Sequence, residues 1–526
     1  MPALRFLFVG RFSQSPKGDR ITVSGERMAD VMARLDLRAV IEIADRLGAD
    51  PTRRYELKLG SARALRVADV CGDLEPLKSL AEIAAALVKS PGAIGLADAV
   101  AKVRAVVGDG ALAQALAALD APAAPAPAPA PTPTPAPAAA SGGSGSAIDA
   151  IFGQADVASP DTIAAARSGI DAFVGAMRKG KPGGTAKPTT TTQRASALIL
   201  DAIEAVAADA LAHEPAASIE ASWRGIKLVL GESPGHDKLA IELLDLSHPT
   251  GEAIADALAR APADAVFVAD AAGELTELAT LAAAGAQSRT PIVAALDPAL
   301  LDGSRSPLSA WVGLRGDPST DWLCAVTNDV VLASDETRAG ARIVFGAPVF
   351  AIAGMLAASL RRDGTFGDAF GRAGALVGPA SWAAPAERGA SRNLPVRAHL
   401  GVDAMRTMVD AGIAVLGSEP GGERLLAVGA PMVSKADGPA LAGRILVGRA
   451  ARAAIAAKDS LAHGAGPSEL ETALSRAAAG VLPDGAPGSC TLRAQPGMAA
   501  NESDLAISAE FRADATGRAF AASFRV

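Results

Sequence analysis

The sequence predicts an α/β (α+β) protein with a small strand–helix N-terminal module, an Ala/Pro-rich linker and a larger module. The larger module has a helical start, a mainly parallel central sheet and a C-terminal β-hairpin. Three observations carry this. Apolar strand-type runs alternate with amphipathic helical runs from Leu239 to Leu296, the pattern of a parallel sheet covered by helices. After Asp120 the chain reads APAAPAPAPAPTPTPAPAAASGGSGS, which cannot bury a core and favours extended polyproline II ending in a flexible Gly/Ser stretch. The tail alternates apolar and polar residues on both sides of Asp514-Ala-Thr-Gly517, as a hairpin does. The expected division is 1–119, a linker over 120–146, a helical region over 147–215 and a domain over 216–526.

The first module opens with a strand, Leu4 to Val9, and a shorter one, Arg20 to Val23. Ser24 is placed to cap a helix through Asp36, with Met28, Val31, Met32 and Leu35 at helical spacing. Strands are expected at Leu37–Ile43 and Tyr55–Leu59, and helices at Val67–Cys71 and Glu75–Lys89. The second module begins with helices at Ser146–Gln154, Pro160–Gly180, Gln193–His213 and Ile219–Leu230. Strands follow at Leu239–Asp245, Ala265–Ala269 and Pro291–Leu296, with helices at Thr250–Arg260 and at Leu275–Ala284, the latter ending before Gly285. Ile343 to Leu360 carries no charge, close to the lower limit for spanning a bilayer. Its Gly346 and Pro348 point instead to a loop leading into a buried helix, so no membrane insertion is expected.

Half the residues are apolar by type but only 3% are aromatic, so the cores rest on small aliphatic side chains. The net charge of −7 is spread without a block of one sign, which argues against a nucleic-acid partner. Cys71, Cys324 and Cys490 lie far apart and form neither a disulfide framework nor a CxxC pair, which suits a reducing, cytoplasmic setting.

The search for chemistry yields little. His213, His236, His248, His399 and His463 have no metal-ligand spacing, and there is no GxSxG or HExxH. Gly175-Ala-Met-Arg-Lys-Gly180-Lys181 approaches a phosphate loop, but Pro182 stands where Ser or Thr would hold magnesium, and the preceding run reads as helix. Asp161, Asp171, Asp201 and Glu204 fit solvated helix faces; Asp297, Asp302 and Asp317 fit turn caps. No catalytic residue, cofactor site or metal site is assigned. An enzyme of Rossmann-like fold is a rival reading, opposed by the lack of a Gly-rich turn after a strand.

Ser218-Ile-Glu220-Ala-Ser-Trp223-Arg224-Gly225-Ile226 resembles the LEASWRGL motif of the large sheath subunit of type VI secretion. Leu308-Ser-Ala-Trp311-Val-Gly-Leu314-Arg315, Asp321-Trp-Leu-Cys-Ala-Val-Thr, Asn393-Leu-Pro395-Val and Val409-Asp-Ala-Gly412-Ile413 are similar to further segments of that family, in the same order. Arg20-Ile-Thr-Val-Ser, Met28-Ala-Asp-Val-Met32-Ala-Arg-Leu35, Tyr55-Glu-Leu-Lys-Leu59 and Leu74-Glu-Pro-Leu-Lys-Ser-Leu80 resemble the small sheath subunit. The family uses two chains; here both parts lie on one, and the small-subunit-like part stops near Asp120.

The resemblance implies a non-enzymatic, cytoplasmic subunit that assembles with itself into a helical sheath around an inner tube protein, meets a baseplate, and contracts. It implies that terminal strands are exchanged between neighbours, involving Leu4, Phe6 and Phe8 at one end and Leu505, Ile507, Phe511, Phe520, Phe524 and Val526 at the other. The alternative is that both ends complete their own domain's sheet. It also implies that Ser146 to Gln154 docks an AAA+ unfoldase that recycles the sheath. Ile148, Ile151 and Phe152 share one face of that helix, which suits either docking or packing on the following helix. Trp223 is expected to be either an interface contact or a core anchor, with Arg224 paired to a nearby acid; the large area of an indole in so aromatic-poor a chain favours the anchor. A non-contracting scaffold or baseplate component derived from sheath parts is the other structural reading.

Overall fold

The computed structural model describes residues 4–61, 65–89, 94–119, 190–300, 308–385, 392–419, 422–462, 465–482, 486, 488–495, 505–512 and 519–525. The linker, Ile148, Ile151, Phe152, the two helices expected over 146–180, Asp161, Asp171, Asp302, the Gly175–Lys181 run, the turn over 514–517 and Val526 lie outside them.

Strands β1 (Leu4–Gly10) and β2 (Arg20–Val23) precede helix α1 (Met28–Arg34), the hairpin β3 (Arg38–Ala44) and β4 (Thr52–Lys58), and helices α2 (Val67–Asp73), α3 (Leu77–Lys89), α4 (Leu96–Val107) and α5 (Ala111–Ala118). Helices α6 (Thr191–Ala212) and α7 (Ala216–Glu232) then lead into β5 (Leu239–Asp245), α8 (Gly251–Arg260), β6 (Ala265–Ala272), α9 (Leu275–Ser288) and β7 (Ile292–Leu296). Next come α10 (Leu308–Leu314), β8 (Leu323–Thr327), the hairpin β9 (Val330–Thr337) and β10 (Gly340–Gly346), and α11 (Pro348–Asp363). The remainder holds β11 (Leu376–Val377), β12 (Trp382–Ala384), β13 (Arg392–Leu394), α12 (Val402–Asp410), β14 (Ile413–Ser418), β15 (Arg424–Ala427), α13 (Leu441–Asp459), α14 (Pro467–Ala478), β16 (Cys490–Ala494), β17 (Ala506–Phe511) and β18 (Phe520–Arg525).

Nine strands form the main sheet in the order β11-β15-β14-β8-β7-β6-β1-β5-β2. The six strands from β14 to β5 run parallel, and the outer strands β11, β15 and β2 pair antiparallel. Strand β1, from the first module, lies between β5 and β6 of the second: Phe6 is opposite both Ile241 and Ala265, and Phe8 is opposite both Leu243 and Phe267. The run Leu4-Arg-Phe-Leu-Phe-Val9, apolar apart from Arg5, suits a strand covered on both faces. On one face Phe8 stacks between Phe267 at 5.0 Å and Phe350 of α11 at 5.7 Å. On the other, Leu7 and Val9 join Ile254, Leu258, Leu278 and Leu281 of α8 and α9.

The uncharged run over 343–360 splits as its Gly and Pro suggest: β10 ends at Gly346, and Pro348 opens α11, whose residues Pro348 to Leu360 are all buried. Among the described residues no helix is long and apolar enough to cross a membrane. Two local expectations are corrected. Helix α9 does not stop before Gly285 but continues to Ser288: Arg289, at a left-handed φ of 54°, ends it and returns its N–H to Ala286 O, while Gly285 lies inside the helix where an added Cβ would be 3.0 Å from Thr290 O. Ser24 precedes a 3-10 turn, Gly25–Arg27, and its side chain makes no capping hydrogen bond.

The clasp helix and the open sheet edge

Helix α7 carries the segment Ser218 to Ile226, and Ile219, Trp223 and Ile226 follow one another at i, i+4 and i+7 on its buried side. The Trp223 side chain is fully buried. Its Nε1–H donates to the carbonyl of Phe12 at 2.9 Å, and the two rings meet edge to face at 6.1 Å. That carbonyl is held in place by the turn after β1, where the N–H groups of Phe12 and Ser13 donate to Asp245 Oδ1 at 2.8 and 3.2 Å and the Ser13 hydroxyl donates to Oδ2. Gly225 faces the Phe350 ring so closely that a Cβ there would lie 2.3 Å from Cδ2.

Glu220, one turn before Arg224, is fully buried. Arg224 Nε donates to its Oε1 at 2.8 Å, and Arg342 of β10 donates to both oxygens, at 3.2 and 2.5 Å. Asp335 of β9 lies 3.4 Å from Arg342 and 3.7 Å from Arg224, so two cations face two anions. The remaining donors reach backbone: Arg224 Nη2 to Leu65 O at 2.7 Å and Arg342 Nη2 to Leu211 O at 3.1 Å. Buried ions persist only with such pairing. Trp223 and Arg224 therefore hold two loops of residues 1–119, at Phe12 and Leu65, against the helix. Arg342, Asp335 and Phe350 escaped the sequence reading, which named Glu220 only within its motif; the i, i+4 spacing of Glu220 and Arg224 was the one available signal for the acid that Arg224 pairs with.

The other motif segments also meet. Trp311 Nε1 donates to Ala411 O at 3.1 Å, and Arg315 donates to Val433 O at 3.0 Å and to Asp410 O at 3.2 Å. Gly412, at φ 82°, occupies the left-handed region that this crossing needs.

Each candidate exchange strand has a definite place. Leu4, Phe6 and Phe8 are fully buried in β1, whose two edges pair with β5 and β6 of the same chain. Leu505, Ile507 and Phe511 are buried beside or within β17, which pairs with β16 on one side and β18 on the other. Phe520 stacks on Phe511 at 4.6 Å; Phe520, Ala522 and Phe524 are half-buried, while Ala521, Ser523 and Arg525 face outward. The outer edge of β18 has no strand partner among the described residues.

Among the described residues no three His, Cys, Asp or Glu side chains gather to hold a metal ion. Burial pushes the Cys71 thiol up to about 11 and those of Cys324 and Cys490 up to about 12, which disfavours the reactive thiolate. Asp317 caps the turn Pro318–Trp322 by accepting from Ser319 N at 2.8 Å, a bond that lowers its pKa, and Asp297 Oδ1 accepts from Ala299 N at 2.9 Å.

No known family profile matches the chain, and no curated protein matches it. Several solved structures overlap with it, two of them from the anti-feeding prophage. One is the anti-feeding prophage baseplate, six-fold symmetrised, at 14% identity over 60% of this chain and 78% of that one, with a TM-score of 0.34. The other is the anti-feeding prophage helical sheath in the contracted state, at 13% identity over 60% of this chain and 79% of that one, with a TM-score of 0.33. At these TM-scores neither overlap bears on the arrangement derived above.

Proposed function

We propose that the chain is a structural, non-enzymatic subunit of a contractile sheath of the type VI secretion kind, with small- and large-subunit parts joined in one polypeptide. The observation that carries this reading is the placement of β1. The part that resembles the small subunit supplies a central strand to the sheet of the part that resembles the large subunit, and Trp223 and Arg224 of the LEASWRGL-like segment clasp it there. Two parts interleaved in this way form one rigid building block, which a lattice under strain requires. Neighbours would join at the outer edge of β18, which has no strand partner among the described residues. An inner tube protein, a baseplate and an unfoldase acting on Ile148, Ile151 and Phe152 are the partners this reading entails.

Negative-stain microscopy of the purified chain tests it. Long hollow tubes are expected, and removal of residues 514–526 is expected to leave a folded protein that no longer forms them. Discs or short rings from the intact chain would replace sheath by a baseplate-type scaffold; monomers at every concentration would overturn assembly altogether.

A further inference from the structure

We infer that the outer half of the β9–β10 hairpin is an arm that swings on a β-bulge and is latched to α6 and α7 by charged groups. The arm belongs to the single chain and needs no assembly. Strands β9 and β10 form a two-stranded sheet of their own, joined to the rest only by an isolated bridge at the base, Val330 to Val396. A hairpin of two strands is marginal in water unless something holds it.

The base is held by the core. Val330 and Leu332 belong to it, and Val331 N–H donates to Pro395 O at 2.9 Å. Leu332 packs over Gly346, where an added Cβ would lie 2.1 Å from Cδ1, and Phe345 meets Trp382 edge to face at 5.6 Å. Just beyond, the register shifts. Val344 is opposite Ala333 but Phe345 is opposite Val331, so Leu332 is the extra residue of a bulge. A bulge bends its strand and interrupts the ladder, as a hinge requires.

Past the bulge the attachment changes in kind. No residue from Ala333 to Val344 belongs to either hydrophobic core, and Ile343, the only large apolar side chain from Ser334 to Ile343, is half-buried. Charge ties this part down. Arg342 and Asp335 meet Glu220 and Arg224 of α7. At the tip, Arg338 Nε donates to Asp201 Oδ1 at 2.5 Å and Arg338 N–H donates to Glu204 Oε2 at 2.6 Å, both on α6. The two fastenings differ in exposure. The Glu220 side chain has none, whereas those of Arg338 and Asp201 are 43% and 51% exposed. Salt screens exposed pairs strongly and buried ones much less. The tip therefore lets go first, and Glu220 limits how far the opening runs. Residues Leu332 to Glu336 of β9 also form one wall of a cavity of about 590 Å³ facing Arg224, Lys227 and Leu228 of α7, so opening widens that cavity.

Amide hydrogen exchange of the full chain, read by mass spectrometry, tests this. It is compared between about 0.1 M and about 1 M NaCl, over which the screening length falls from about 10 Å to about 3 Å. An unstructured peptide corrects for the effect of salt on intrinsic rates. Exchange over Glu336–Ala341 is expected to rise several-fold with salt while that of β1 stays unchanged. Asp201→Asn combined with Glu204→Gln is expected to give the fast rate already at low salt and to abolish the salt response. Glu220→Gln is expected to extend fast exchange over Ser334–Ile343 and to stop at the bulge. Should Glu220→Gln fail to fold, Arg342→Gln takes its place, and the tip variant, which alters only the outer face of α6, decides the rest. A tip that exchanges as slowly as β1 at both salt concentrations would overturn the inference. So would a salt response that survives the double substitution, or fast exchange that runs through Val330 and Gly346 into the core.

Discussion

The indole N–H of Trp223 donates to the carbonyl of Phe12 across 211 residues of sequence, and both side chains are fully buried. This bond closes the join between residues 1–119 and the rest of the chain. Trp223→Phe keeps most of the apolar contact but leaves the Phe12 carbonyl without its donor. A loss of about 1–3 kcal/mol is expected by urea denaturation, against about 3–5 kcal/mol for Trp223→Ala, which also opens a cavity.

Glu220 is the anion on which Arg224 and Arg342 converge. Glu220→Leu leaves two half-buried guanidiniums with Asp335 alone, and a loss of about 3 kcal/mol, the low end for breaking a buried pair, is expected. Asp335→Asn should cost less, since Asp335 is the more exposed acid, at 15% against 0%. The ranking is read from denaturation midpoints of the two variants.

Gly225→Ala places a methyl group against the Phe350 ring, 2.3 Å from Cδ2. Both are held by packed helices, so a loss of about 1–3 kcal/mol is expected. Adding Phe350→Leu should recover part of it, a coupling that a double-mutant cycle measures.

A protease site introduced between residues 120 and 146 tests whether β1 holds the two parts together. After cleavage the fragments are expected to co-elute in size-exclusion chromatography, because β1 pairs along both edges with β5 and β6. Separation of the fragments without denaturant would show that the linker is needed to hold the sheet.

Asp270, at the end of β6, has its pKa pushed up to about 6 by burial, which Arg11 and His248 only partly offset. The folded state thus binds a proton more tightly than the unfolded chain, whose Asp titrates near 3.8. Its contribution to stability is full below the unfolded pKa and is lost as pH rises through about 6. Asp270→Asn should therefore raise Tm relative to wild type at pH 8 and give little or no gain at pH 4, as thermal melts at the two values would report.

The elements with a local cause were legible in the sequence. Alternation fixed β17 and β18, the Gly346–Pro348 break preceded α11, and the Thr250 hydroxyl caps α8 through Ala253 N. The order of strands was not legible, because pairing depends on neighbours more than 200 residues away: β1 read only as a strand, with nothing to place it between β5 and β6. Nor was Glu220 legible as a buried ion, since a Glu on a helix reads as solvated until Arg342 arrives from a distant hairpin. That β18 has no second strand partner among the described residues is likewise decided by tertiary structure. Periodicity is written in consecutive residues, whereas burial of a charge and exposure of an edge depend on what the rest of the chain brings alongside.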